Sequence, residues 1–217
     1  MSATRGIIAL GVPQTVIAPL ERHPSLDDRF DPAIRIVDYN PRWPALAEAE
    51  LRRVVRALGE VAARVEHVGS TAVPGLAAKP IVDLQLSVDR IEPRERYLRS
   101  LEQLGYMFVP APESPDRYFF AKPPERPRTH HLHVCTAGSE TEFRHLAVRD
   151  FLRTHADEAA RYAALKRQVV ARHPRDRLAY IEGKHAYVTA LEERAIMWAR
   201  GGGCTPLTAK CWRRLDD

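Results

Sequence analysis

The sequence predicts an α+β domain with a helical C-terminal part. Two patterns carry that expectation. Between residues 34 and 135, short apolar segments with a period of two recur between turns rich in proline and glycine, which is strand spacing. From residue 142 to residue 200, apolar side chains recur at intervals of three and four, which is helix spacing. The chain has 217 residues, 45% of them hydrophobic, and shows no internal repeat, so a single core is expected. The organisation expected is an N-terminal arm at 1–33, one domain over 34–200 and a C-terminal tail at 201–217.

Ile34–Asp38 (IRIVD) reads as a short strand before the turn at Tyr39-Asn40-Pro41. Leu46, Leu51, Val54, Val55 and Leu58 predict an amphipathic helix from Trp43 to Leu58, ended by Gly59. Ala62–Val68 and Pro80–Val88 read as strands. In the second, Ile81, Asp83, Gln85 and Ser87 fall on one face and Val82, Leu84, Leu86 and Val88 on the other. Pro93–Leu104 is expected to be helical and is stopped by Gly105. Tyr106–Val109, Arg117–Ala121 and His130–Cys135 complete the strands, with proline-rich loops at Pro110–Pro115 and Lys122–Arg128. Helices are expected over about 142–154, 157–172 and 177–200.

The composition narrows the function classes. Thirty-three basic and 28 acidic residues give a net charge of +5, a dispersed excess that suits an anionic small molecule. No dense basic stripe with interleaved aromatics points to nucleic acid. The cysteines, Cys135, Cys204 and Cys211, form neither a disulfide framework nor a CxxC pair, as expected of a cytoplasmic protein. No apolar run reaches the length of a membrane helix, and Pro13 and Gln14 interrupt the apolar segment Ile7–Leu20.

Chemistry concentrates in residues 65–88. Gly69-Ser70 lies a short loop ahead of Asp83, an acid inside an apolar strand. A glycine turn lets backbone approach a phosphate, and a carboxylate on the next strand can hold a divalent cation against it. The competing reading of Gly69-Ser70 is a strand-to-helix turn with a serine cap, and that of Asp83 is a structural salt bridge. Lys79, set extended by Pro80, is placed to meet a phosphate or to stand in solvent. His131 and His133 alternate onto one face beside His130, as pocket-lining groups or as metal ligands. Tyr162 and Lys166, and Tyr180 and Lys184, are four apart and share helix faces, suiting base stacking and phosphate contact or ordinary amphipathic packing. Arg149, beside a structural Asp150, is a candidate phosphate clamp or the partner of an acid across the helix interface, and Arg117 is a candidate pocket residue.

Taken in order, EHVGSTAVPGLAAKPIVDL, THHLHV, VRDFLRTH, YAALK and YIEGKHAYV resemble the GrpB family, also catalogued as an uncharacterised protein family, from about Ile36 to Trp198. The resemblance implies a nucleotidyltransferase (polymerase β-like) fold, a mixed sheet with packed helices, and a link to dephospho-CoA kinase, to which some relatives are fused. In that superfamily Gly-Ser precedes a strand bearing Asp-x-Asp or Asp-x-Glu. Gly69-Ser70 and Asp83 match, whereas Gln85 replaces the second acid and no third acid is evident. The expectation is therefore a protein that binds a nucleotide or another phosphorylated small molecule, with Mg²⁺ and any catalysis centred on Asp83. Two alternatives stand beside it: a non-catalytic nucleotide-sensing or accessory module linked to coenzyme A metabolism, and a metal-dependent phosphohydrolase using His131 and His133.

Overall fold

The computed structural model describes residues 33–110, 116–124 and 127–203. The arm at 1–33 and the tail at 201–217, with Cys204 and Cys211, thus lie almost wholly outside the described residues. The elements run α1 (Trp43–Leu58), β1 (Arg64–Val68), β2 (Val82–Val88), α2 (Glu95–Gln103), β3 (Met107–Val109), β4 (Arg117–Lys122), β5 (His130–Thr136), α3 (Glu140–Thr154), α4 (Ala156–Arg172) and α5 (Arg177–Arg200). A single 3-10 turn, Ser70–Ala72, follows β1.

The five strands form one mixed sheet in the order β1-β2-β5-β4-β3. Only the β2–β5 pair is parallel, so the α+β class with a mixed sheet and a helical C-terminal part holds. One expected strand is corrected. Ile34–Asp38 makes a single bridge, Val37 to Ala78, rather than a ladder. Its partner segment runs straight into Pro80, which has no N–H to continue the pairing.

The period-two pattern of β2 sorts the two faces of the sheet. Val82, Leu84, Leu86 and Val88 are buried with Leu132 and Val134 of β5 against Trp43, Ala47, Val54 and Leu58 of α1 and Tyr97 and Leu101 of α2. Burying side chains of this size stabilises the fold by roughly 1.5–3 kcal/mol each before entropy is counted. The opposite face is polar, and α3 packs over it. Beyond lies a second core, in which Val73, Leu76 and Ala77 of the β1–β2 connection meet Ala147, Phe151, Ala163, Leu191 and Ala195 of the three C-terminal helices. That connection is therefore a packed segment, and it ties the Gly69-Ser70 turn to α4 and α5.

Candidate functional site

The pairing register assembles the polar face. Asp83 lies opposite His131 and Gln85 opposite His133 on the parallel strand β5, while Glu66 of β1 lies opposite Gln85. Gly69, at φ +69°, turns the chain out of β1 and over Asp83. The backbone there is so close that a Cβ on Gly69 would stand 2.6 Å from Asp83 Oδ2. A cleft of about 200 Å³ opens at this point, lined by Val68, Gly69, Asp83, His133, His145, Val148 and Glu192.

Asp83 Oδ1 accepts a hydrogen bond from His131 Nδ1 at 3.0 Å, and His133 Nε2 stands 4.0 Å from the same oxygen. Burial opposes ionisation of Asp83, but the hydrogen bonds and charges of His131 and His133 together outweigh it and hold the carboxyl well below its ordinary range. Phe119 packs under both imidazoles, with ring centroids at 5.0 and 5.2 Å. Arg117 Nη1 lies 3.4 Å from His133 Nδ1. His145 Nδ1 is 2.7 Å from the Gln85 side-chain oxygen. Burial, then the neighbouring His133 and the Arg117 and Arg144 charges, keep His145 neutral well below the usual imidazole range.

The basic side of the cleft comes from the helices and the β1–β2 connection. Lys166 is buried, and its Nζ reaches Ser70 Oγ at 2.9 Å and the Ala77 carbonyl at 2.5 Å. Burial, and then the charge of Lys184, bring Lys166 down to about 7. As the four-residue spacing implies, each lysine sits over its tyrosine: Lys166 Nζ is 4.4 Å from the Tyr162 ring and Lys184 Nζ 5.7 Å from that of Tyr180. Lys79 also lies 5.7 Å from the Tyr180 ring, so Lys79 and Lys184 share that ring, and the charges of both act on Lys166. Tyr162 in turn stacks on Tyr187, at 5.7 Å and 9°.

The structure does not bring every candidate to the cleft. Arg149 is buried, and its guanidinium is engaged by Asp150, by Glu66 at 2.7 Å and by the His67 carbonyl at 3.1 Å. That geometry clamps α3 to β1. Gln85 is sealed in the interior by His145. His145 and Glu192 escaped the sequence reading. The former could have been found, because His145 and Arg149 stand one helical turn apart in a helix over the polar sheet face.

The donor set bears on the expected cation. Magnesium prefers an octahedron of oxygens. Here Asp83 supplies the cleft's one carboxylate from the sheet, and its Oδ1 is already taken by imidazoles. Among the described residues no group of three or more His, Cys, Asp or Glu side chains is arranged to hold a metal. One sheet carboxylate is a sparse donor set for a resident Mg²⁺.

The Lys166 environment has a consequence for stability. Its folded value, about 7, lies below the ordinary 10.5, so between these the unfolded chain binds a proton that the folded chain does not. Stability should therefore rise with pH above 7, by up to about 1.4 kcal/mol per unit. Cys135, pushed up to about 11 chiefly by burial, works in the opposite sense above its ordinary value of 9.0. Denaturant melts should show stability climbing from pH 7 to about 8.5 and then levelling, and Lys166→Met should flatten the climb.

An α+β domain with a cleft over a histidine-held carboxylate and buried lysines nearby is the class of protein that fold and site define. Residues 33–194 match the family described as GrpB protein. The chain belongs to the GrpB family. The UPF0157 protein PA4798 of Pseudomonas aeruginosa is 40% identical over 173 residues, spanning 78% of this chain and 71% of that one. The UPF0157 protein YqkA of Bacillus subtilis is 33% identical over 186 residues, 85% of this chain and 53% of its own. A dephospho-CoA kinase of Mycolicibacterium paratuberculosis is 29% identical over 197 residues, 80% of this chain and 48% of the kinase. The chain thus spans about half the length of these last two relatives. The crystal structure of conserved protein GrpB from Enterococcus faecalis matches with a TM-score of 0.71 at 34% identity, over 76% of this chain and 99% of that one. Among the described residues no helix is long and apolar enough to cross a membrane.

Proposed function

We propose that this protein binds a phosphorylated small molecule, a nucleotide foremost, in the cleft bounded by Gly69, Ser70 and Asp83, on a nucleotidyltransferase-like scaffold. One observation carries the reading. Lys184 lies beside Lys166 where Lys166 directs its Nζ to two neutral oxygens, and the nearby Asp83 is already held by histidines. Gathered positive charge costs free energy in an empty cleft and is relieved by a bound anion. The Gly-Ser turn folded over a strand carboxylate supports the nucleotidyltransferase analogy, which stays an analogy of fold. The lysines, rather than a metal, supply the charge, whereas Tyr180 is buried in a core cluster with Ile34 and Val169 and is not open for base stacking.

Calorimetric titration of ATP, with Mg²⁺ and with EDTA, tests the reading. Binding is expected in both conditions, weakened about tenfold or more in Lys184→Ala, which is about 1.4 kcal/mol. Absence of heat in either condition would remove the nucleotide from the proposal.

A second reading has a specific observation behind it. Gln85 stands where a second acid would bind metal, and it is locked inward by His145. With half of a dephospho-CoA kinase alignable to this chain, a non-catalytic accessory role in coenzyme A metabolism follows naturally. Tighter binding of dephospho-CoA than of ATP, without turnover, would favour it.

A further inference from the structure

Ser70 follows directly on Gly69, the exposed, left-handed residue of the cleft lining, and is itself half-buried. Its hydroxyl meets one face of α4. Lys166 Nζ is 2.9 Å away, and the same Nζ is fixed at 2.5 Å by the Ala77 carbonyl. The next residue, Thr71, is buried and turned instead toward His67, 2.9 Å from its Nε2. One hydroxyl of this turn thus meets a buried amine, and the other does not.

From this geometry we infer that Ser70 is a nucleophile activated by Lys166, which the Ala77 carbonyl holds in place, and that it takes a phosphoryl group from the ligand of the cleft. The inference rests on the anion-binding reading above for its substrate class, a phosphoanhydride. Nucleophilic serine requires a base within hydrogen-bond reach and a third group to hold the pair. Burial of Lys166 and the like charge of Lys184, with Lys79 and Arg167 also near and only Asp83 opposing, put a neutral amine within reach at neutral pH. Tyr162, pushed up to about 12 chiefly by burial, stays protonated and adds no negative charge near Lys166. Tyr180, in the same cluster, is raised as well, chiefly by burial, and adds no negative charge near neutrality.

The step balances without another reactant. The Ser70 O–H proton moves to the lone pair on Lys166 Nζ as Oγ bonds to phosphorus. The bond from phosphorus to the bridging oxygen breaks, that oxygen keeps the electron pair, and Lys166 can return the proton to it. A nucleoside triphosphate would leave as the diphosphate, with the phosphoryl group on Ser70.

Diisopropyl fluorophosphate is the probe, because it tests the nucleophile whether or not ATP binds. Peptide mapping by mass spectrometry should find one adduct on Ser70, formed at a rate that rises with pH through a midpoint near 7. The adduct should be lost in Ser70→Ala, and its rate should fall at least 100-fold in Lys166→Met. Lys166→Arg keeps a cation and a donor but cannot accept a proton near neutrality, so it should fall equally, and its circular dichroism reports whether the fold survives. No adduct on Ser70 in the folded wild-type protein between pH 6 and 9, or an unchanged rate in folded Lys166→Arg, would overturn the inference. ATP binding without an adduct would sink the nucleophile and leave the anion site standing, whereas an adduct without ATP binding would do the reverse.

Discussion

Glu142→Ala should destabilise the protein by about 3–5 kcal/mol, the cost expected when one partner of a buried ion pair is removed. Glu142 is fully buried at the start of α3. One carboxylate oxygen accepts from Ser87 at 2.5 Å and from Arg64 at 2.6 Å, and the other from the Gly138 amide at 2.5 Å. Its own amide donates to the N-cap Ser139 at 3.3 Å. The residue is therefore both half of a capping box and the joint between α3, β1 and β2. Truncation strips Arg64 of this carboxylate and leaves the Ser87 hydroxyl and a helix-terminal amide with unmet hydrogen bonds. For a chain of this size the melting temperature should drop by about 10 °C. Glu142→Gln should recover only part, because its amide nitrogen must face one of three donors. Glu140→Ala is the control: Glu140 pairs with Arg200 in solvent, their side chains 74% and 61% exposed, and the change should stay within about 0.5 kcal/mol.

The same residue shows what the sequence disclosed and what it withheld. Ser139-x-x-Glu142 is a legible capping box, yet the helix was expected from 142, so its first turn and the role of Glu142 went unread. Where the signal was local and periodic it held. The alternation of β2 assigned its two faces, and the helix at 177–200 kept its bounds. The Tyr-Lys spacing on α4 and α5 delivered real ring–cation contacts. Failure came where a role depends on a distant partner. Arg149 reads equally as a phosphate clamp or as the partner of an acid, and only β1, by bringing Glu66 to it, decides for the second. Gln85 reads as a ligand on a polar face until His145 of α3 closes over it. Ser70 and Lys166 are 96 residues apart, and no spacing rule connects them before the fold does.

Gly69→Ala should cost the protein its ligand, at least a tenfold loss of affinity for ATP, and about 2 kcal/mol of stability. The backbone carries φ +69° and ψ −169°, a region that side chains other than glycine's occupy only at a cost of about 1–3 kcal/mol. Strain is only half of the effect. The added methyl would meet Asp83 Oδ2 at 2.6 Å and Asp83 Cβ at 2.9 Å, so either the carboxylate or the turn must move. Moving the carboxylate breaks its bond from His131, and moving the turn carries Ser70 away from Lys166. Either displacement dismantles one wall of the cleft. Gly75→Ala separates the two contributions. Gly75 has φ +79°, but a Cβ there meets nothing within 4 Å, so that variant should show the strain without the loss of binding. Equal affinity in the two variants, measured by the same titration under EDTA, would mean that the ligand does not sit against the Gly69-Ser70 turn. A loss confined to Gly69→Ala ties the anion to the approach of this turn to Asp83, where the lysines of α4 and α5 converge.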